Sequence, residues 1–532
     1  MEKFLATETL IIELLLVVSI VAIAVRRLRI PYTVALVVVG LLITFQQPLD
    51  IDLTPELILS LFVPPLVFEA AFHIEFRELR RNLFPILGLA IPGVLITTFL
   101  VGVIVSYFLD IPIFVALVFG ALISATDPVA VVSLFKALGA PKRLTTLVES
   151  ESLFNDGTAI VVFQVMLAAA LAIAGEPTGH AAGGGFDLLS AAIDFIRVSA
   201  GGLLIGVGMG WVIAQIIARI DDYLIETTLT TVLAFGSFLL AERFHVSGVL
   251  AVVAAGLVTG NVGPKGMSPT TKIVLFNFWE YLAFVANSLV FLLIGLDVNL
   301  REIGSTLGPI AVALAAVLLS RLLIVYGVTN LINFRLKDVS QVPPGFQHVL
   351  FWGGLRGAIS LALALSLPIA LEQRELLRTM TFGVVLFTLL AQGTTMRYLL
   401  RWLGIGQAQE LALEYERRHA RLMAARAALA GVEKLHDTKM ISDSTWRELE
   451  QKLTAEVEDA RDLQRILVEE NPELRREEVE DAEIEGLRAR RAALGEMLSS
   501  GIISEQVYDE LIVDVDSAIE RVRDEVLATE EA

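Results

Sequence analysis

The sequence predicts an all-α polytopic membrane protein of about thirteen transmembrane helices, with broken helices, followed by a helical cytoplasmic C-terminal domain. Three observations lead there. Hydrophobic residues fill 55% of the 532 positions and charged residues only 19%, with a mean hydropathy of +0.70, far from the balance of a soluble globular protein. Polar interruptions cut residues 1–404 into segments of the length a bilayer core demands, roughly 20 apolar residues each. The charge is lopsided: residues 405–532 hold 32 acidic and 17 basic side chains, whereas residues 1–404 hold 27 and 24. Two domains follow, a transmembrane domain over 1–404 and an acidic helical domain over 405–532. Cysteine is absent, so the fold stands on packing without disulfides or thiolate metal sites.

The first span, near 8–25, is preceded by Glu2 and Glu8 rather than by a basic segment, and reads as a retained helix, not a cleaved leader. Further spans fall near 31–46, 54–72, 83–108, 112–135, 148–173, 187–218, 222–241, 246–261, 270–296, 305–334, 346–371 and 376–398. Within the fifth, Thr126-Asp127-Pro128 predicts a break, because proline lacks a backbone donor and disfavours helical geometry in the residue before it. The sixth opens with "ESESLFNDG" (149–157). The seventh carries Gly201, Gly202, Gly206, Gly208 and Gly210, which permit close helix packing. The polar stretch "GEPTGHAAGGG" (175–185) reads as a flexible connection.

Orientation follows from Lys and Arg. Alternate junctions collect sixteen of them (residues 26, 27, 29, 77, 80, 81, 136, 142, 143, 219, 265, 272, 335, 337, 397 and 401), whereas the opposite set holds only Lys3, Arg243, Arg301, Arg374 and Arg378. The positive-inside rule then puts the N-terminus outside and the tail in the cytoplasm, as expected of a protein of the bacterial inner membrane.

The tail repeats itself. "MISDSTWREL" (440–449) aligns with "IISEQVYDEL" (502–511), and each copy follows an Ala-Ala-Leu segment. Each reads as a helical hairpin whose second helix is opened by a capping serine, Ser442 or Ser504. Packing on itself or on a second subunit is the expected role, with regulation by a ligand or partner as the alternative. No G-x-G-x-x-G follows a strand, so nucleotide binding is not expected.

Carboxylates in apolar segments are costly and mark ion paths, proton relays or compensating pairs. Asp127 lies beside the predicted break, where free backbone carbonyls are good ligands for small cations. On the helix that follows, Ser152, Asn155 and Asp156 stand at i, i+3 and i+4 and share a face, with Glu151 beside it. If that face meets the break, Asp127, Asp156, Ser152 and the Thr126 carbonyl form an all-oxygen nest suited to a hard cation. Two carboxylates sharing such a site repel one another, and either a proton or a cation relieves the repulsion. Competition between the two, in a site open to one side at a time, suffices for antiport.

The segments "FVPPLVFEAAFH" (62–73), "SATDPVAV" (124–131), "ESLFNDG" (151–157), "ANSLVFLLIGL" (286–296) and "GGLRGAISLALAL" (353–365) resemble signature segments of the sodium/proton exchangers of the cation/proton antiporter superfamily. The resemblance is to the electroneutral branch that includes the NhaP proteins, and it spans roughly residues 10–400 but not the tail. It implies thirteen helices arranged as inverted repeats, a homodimer formed through a dimerisation domain, and a core domain that carries the ion by an elevator-like movement. It implies that Asp156 is the ion- and proton-binding carboxylate, with Asp127, Ser152 and the Thr126 backbone as further Na⁺ ligands and Glu151 acting through water or a neighbour. Asn155 stands where the electrogenic branch has a second Asp, which implies one-for-one exchange. Glu69, Arg321 and Arg356 are expected to compensate buried charge or cap helix ends. Animal exchangers tend to be acidic near the position of Asn287, so ion pairing here is expected to differ.

No cofactor and no nucleic-acid partner are expected; Na⁺, Li⁺ or K⁺ and H⁺ are cargo. A K⁺/H⁺ antiporter is the alternative within transporters. A cation channel would use a similar path but needs no titratable carboxylates competing with the ion. An intramembrane hydrolase with an Asp pair is disfavoured, since Asp127 precedes a proline in a broken helix and Asp156 shares its face with Ser152 and Asn155; no G-x-S-x-G elbow occurs either, and the histidines at 73, 180, 245 and 348 are expected at helix ends or loops.

Overall fold

The computed structural model describes residues 2–28, 32–46, 58–174, 188–220, 222–263, 267–297, 304, 306–335, 341–405 and 407–530. Every regular element among them is helical. The chain forms two compact units, Met1–Gly406 and Gln407–Ala532.

The first unit contains two helix bundles. One comprises α1 (Glu2–Leu28), α2 (Tyr32–Gln46), α3 (Val63–His73, entered through a π-helical turn, Ile58–Phe62), α10 (Leu188–Ile217), α11 (Tyr223–Arg243), α12 (Gly248–Val262) and α13 (Pro269–Asp297). The other comprises α5 (Leu83–Ala90), α6 (Pro92–Leu109), α7 (Ile113–Leu122), α8 (Val129–Leu138), α9 (Lys142–Ile173), α14 (Leu307–Arg335), α15 (Pro344–Trp352), α16 (Ala358–Leu365), α17 (Arg374–Phe387) and α18 (Gly393–Trp402). The short α4 (Phe76–Arg81) links them and carries the basic cluster Arg77, Arg80 and Arg81. Among the described residues, seven helices are long and apolar enough to cross a membrane, and five shorter apolar ones accompany them.

The first bundle is tied together around Trp279 of α13. Its buried ring packs on Phe68 of α3, centroid to centroid 4.4 Å, and its indole N–H donates to Thr230 Oγ1 of α11 at 3.1 Å. Such a residue contributes large apolar area while its polar handle stays satisfied. The glycines of α10 face the same bundle. Gly202, Gly206 and Gly210 lie against the backbone of α12, whereas Gly208 looks into open space, so the small-residue face closes a contact within the chain.

The expected break at Thr126-Asp127-Pro128 is present: residues 123–128 lie outside any helix, between α7 and α8. A second break, residues 353–357 between α15 and α16, falls in a glycine-rich stretch inside an apolar segment. Helix α9 starts at Lys142, ahead of the expected 148. Lys142, Arg143 and Glu149 end an apolar window but are good helix formers, so they do not end the helix.

The second unit holds α19 (Gln407–Asp437), α20 (Asp443–Glu470), α21 (Pro472–Ser499) and α22 (Glu505–Glu530), with α19 packed on α20 and α21 on α22. Ser442 Oγ accepts the Thr445 N–H and Ser504 Oγ the Val507 N–H, each at 3.4 Å. Both serines therefore cap the second helix of their hairpin, relieving an orphan donor of the first turn.

Candidate ion-binding site

The two breaks cross each other. The Asp127 N–H donates to the Leu355 carbonyl at 2.8 Å. The Arg356 guanidinium donates to the carbonyls of Ser124 at 2.6 Å and Ala125 at 3.0 Å, and Ser360 Oγ reaches the Ala125 carbonyl at 3.5 Å. The Arg356 N–H is anchored on Thr388 Oγ1 at 3.2 Å, at the start of the π-helical turn Thr388–Gln392 that joins α17 to α18. Backbone groups freed by unwinding are thus satisfied by the partner segment, the condition on which a broken helix survives in a membrane.

Helix ends set the electrostatics. Asp127 Oδ1 accepts the Val129 N–H at 2.9 Å, and the same carboxylate takes the Ala358 N–H. The carboxylate therefore sits at the N-termini of α8 and α16 together, where the helix dipoles favour negative charge. Arg356 sits oppositely, on carbonyls just past the C-terminus of α7, where a cation is favoured.

Helix α9 brings up the second wall. Asn155 Nδ2 donates to Thr126 Oγ1 at 2.5 Å and to Glu151 Oε1 at 3.1 Å, and its Oδ1 accepts the Thr126 N–H at 3.2 Å. The hydroxyls of Ser152 and Thr126 lie 3.0 Å apart. Ser152, Asn155 and Thr126 are buried, whereas Asp127 and Asp156 keep partial exposure. Among the described residues nothing hydrogen-bonds the Asp156 carboxylate, although it stands within electrostatic reach of Asp127, Glu151 and Arg356.

Glu151 faces Arg321 of α14. The guanidinium grips both carboxylate oxygens, Nη1 to Oε1 at 2.7 Å and Nη2 to Oε2 at 3.0 Å, and Nη2 also donates to the Leu350 carbonyl of α15 at 2.9 Å. This two-pronged geometry is the strong form of such a pair. It links α9 and α14 to the broken helix. Asn287, on α13, is buried.

The residues singled out from the sequence fall into two places. Asp127, Thr126, Glu151, Ser152, Asn155, Asp156, Arg321 and Arg356 come together at the crossing. Glu69 does not. It lies on α3 with His73, whose Nδ1 is 3.4 Å from its carboxylate, and interacts with Lys136, Glu280 and Glu149. Reading the sequence missed the carbonyl of Leu355, the amide of Ala358, Gly357 and Ser360. The run "GGLRGAIS" (353–360) holds all four, and its three glycines were the available sign of a second break.

This is a polytopic membrane protein with charged side chains gathered where two interrupted helices cross. The profile of the sodium/hydrogen exchanger transmembrane family matches residues 14–402, and the chain belongs to that family. It is 39% identical over 447 residues to the low-affinity Na⁺/H⁺ antiporter NhaS1 of Synechocystis, covering 84% of this chain and 83% of that one. It is 37% identical over 502 residues to the Na⁺/H⁺ antiporter NhaG of Bacillus atrophaeus, covering 92% and 93%. The solved structure of the sodium proton antiporter MjNhaP1 from Methanocaldococcus jannaschii shares the fold, with a TM-score of 0.61 at 22% identity over 76% of this chain and 100% of that one.

Proposed function

We propose that the protein exchanges Na⁺, and also Li⁺, for H⁺ across the membrane, one for one, by alternating access, the cation and the proton competing for Asp156. One observation carries this reading: Asp156, whose carboxylate takes no hydrogen bond among the described residues, stands within electrostatic reach of Asp127, which two helix N-termini hold in place. A cation entering between them meets two carboxylates, with the Ser152 hydroxyl and the Thr126 carbonyl beside them. Asn155 and Glu151 take a positioning role, since their polar atoms are turned to Thr126 and Arg321. The cation is cargo, and no cofactor takes part.

Counting each broken helix as one pass, the seven long and five shorter apolar helices support thirteen passes in all, since α15 and α16 form the one pass that neither group includes. An odd count agrees with an outer N-terminus and a cytoplasmic tail in the inner membrane. The exchanger works as a homodimer, its second bundle moving against the first, and residues 405–532 form a regulatory domain open to a ligand or partner. The test is proton flux in proteoliposomes with Na⁺, Li⁺ and K⁺ added in turn. Na⁺-driven proton movement supports the reading, movement with K⁺ alone makes it a K⁺/H⁺ antiporter, and cation flux without proton flux makes it a channel.

A further inference from the structure

Gly157, the residue after Asp156 on α9, holds a side chain from the other bundle in the space its own would occupy. A Cβ built there would stand 2.4 Å from Leu250 Cδ2, 2.7 Å from Leu250 Cγ and 3.7 Å from Leu250 Cδ1, the three nearest atoms all belonging to that leucine. Leu250 is 5% exposed, and its seat in α12 has little slack. Its N–H is held by Ser247 Oγ at 3.3 Å, and the Ser247 N–H by the Val198 carbonyl at 3.1 Å. On one side of α12 a Cβ at Gly206 would lie 2.1 Å from the Ala251 carbonyl oxygen, and on another a Cβ at Gly260 would lie 2.2 Å from the Phe72 carbonyl oxygen. The backbone under Leu250 is therefore held in place, which makes its buried side chain a knob that moves with α12 or by changing rotamer, and Gly157 a notch in the helix that bears the candidate ion carboxylate.

We propose that Leu250, seated against Gly157, is an apolar gate that closes Asp156 toward the Ala174 end of α9, the outer side in the orientation proposed above. The inference rests on the antiport reading and names the residue that bars one route. A cation leaving Asp156 toward the Ala174 end of α9 passes beside this contact, on the face adjoining that of Asp156, where it needs oxygen ligands or water, and the leucine offers neither. Hydrophobic constrictions of this kind gate by excluding water. Because Gly157 has no side chain, α9 can slide past the knob. Exchange then requires the leucine to leave its notch once per cycle, a packed contact with two discrete states.

The chain has no cysteine, so Gly157→Cys with Leu250→Cys gives a clean pair. Disulfides form when Cβ atoms lie about 3.5–4.5 Å apart, which the contact allows. In proteoliposomes treated with oxidant, the pair is expected to lose labelling by a thiol-reactive polyethylene glycol, and Na⁺/H⁺ exchange is expected to fall about tenfold or more, as when a gating motion is blocked. Reduction restores both. Absence of the cross-link, or undiminished exchange in the cross-linked protein, overturns the gate. Gly157→Ala supplies a second reading: it slows exchange, and adding Leu250→Ala restores it. A double variant as slow as Gly157→Ala alone would place the fault in α9 itself and equally overturn the gate. Wild-type vesicles run alongside separate the two failures, since silence there defeats the antiport reading while intact wild-type exchange leaves the gate to stand or fall on the cysteine pair.

Discussion

Asp127 and Gly357 share one space: a Cβ on Gly357 would stand 2.0 Å from Asp127 Oδ2 and 2.4 Å from Asp127 Cβ. Contacts under 3 Å are not met by real Cβ atoms, and here the obstacle is a carboxylate held by two amides. Gly357→Ala is therefore expected to displace Asp127 or to part the two broken helices, with exchange reduced at least about a hundredfold, as when a pre-organised site is shifted by an ångström. Exchange within a fewfold of wild type, measured in proteoliposomes, would show that this close approach is dispensable.

How far the site was legible depends on how local its cause is. The first break was visible because Thr126-Asp127-Pro128 states its reason in three adjacent residues. The face of Ser152, Asn155 and Asp156 was visible because helical spacing is local too. Arg356 on Ser124 and Ala125 joins residues more than two hundred positions apart, and no local pattern announces such a pairing. Nor does any local pattern announce Leu250 on Gly157, although that pair is less distant in the chain. The second break was obscured because glycines in a membrane helix also serve close packing, as they do in α10. The start of α9 was placed too late because hydropathy registers charge, whereas helix formation tolerates it.

The Glu151–Arg321 pair is expected to be structural as well as electrostatic. Removing one partner strands a buried charge, at a cost of about 3–5 kcal/mol, so Arg321→Ala should melt well below wild type in detergent. Arg321→Lys should recover little of the loss, because an ammonium cannot bridge both Glu151 oxygens and the Leu350 carbonyl as the guanidinium does. Removing both charges with Glu151→Leu and Arg321→Met should cost less than Arg321→Ala alone. A melting temperature for Arg321→Ala equal to wild type would contradict this account.

Asp156→Asn is expected to abolish exchange while the protein stays folded, since this carboxylate holds no structural hydrogen bond among the described residues. If cation and proton compete for this group, as proposed, the apparent KM for Na⁺ of the wild type should rise as pH falls, by at most about tenfold per pH unit for one displaced proton. A steeper dependence would mean more than one proton per cation. Retained cation-driven proton flux in Asp156→Asn would remove Asp156 from the site.

Truncation after Gly406 is expected to leave exchange intact while shifting its dependence on pH or cation concentration. The residues at the crossing all precede position 400, and Gln407–Ala532 form a separate compact unit. Complete loss of activity in a truncated protein that still inserts would refute this separation.

Stoichiometry gives the most direct test of Asn155. Its amide is committed to Thr126 and Glu151, and being neutral it adds no exchangeable proton beside Asp156. On the proposed mechanism one cycle is expected to carry one cation one way and one proton the other, with no net charge crossing. A membrane potential acts with about 2.3 kcal/mol per charge per 100 mV, so an exchanger that moves no net charge ignores it. In proteoliposomes clamped at either sign of potential, with Na⁺ as the test ion, the end point of exchange should be unchanged. Displacement of that end point by voltage would mean unequal numbers of protons and cations. Asn155→Asp probes the same point from the other side. The new carboxylate would lose the donor to Thr126 Oγ1 and face Glu151, so slower exchange alone is expected on either account, whereas a gain of voltage dependence would tie the charge at position 155 to the count of protons.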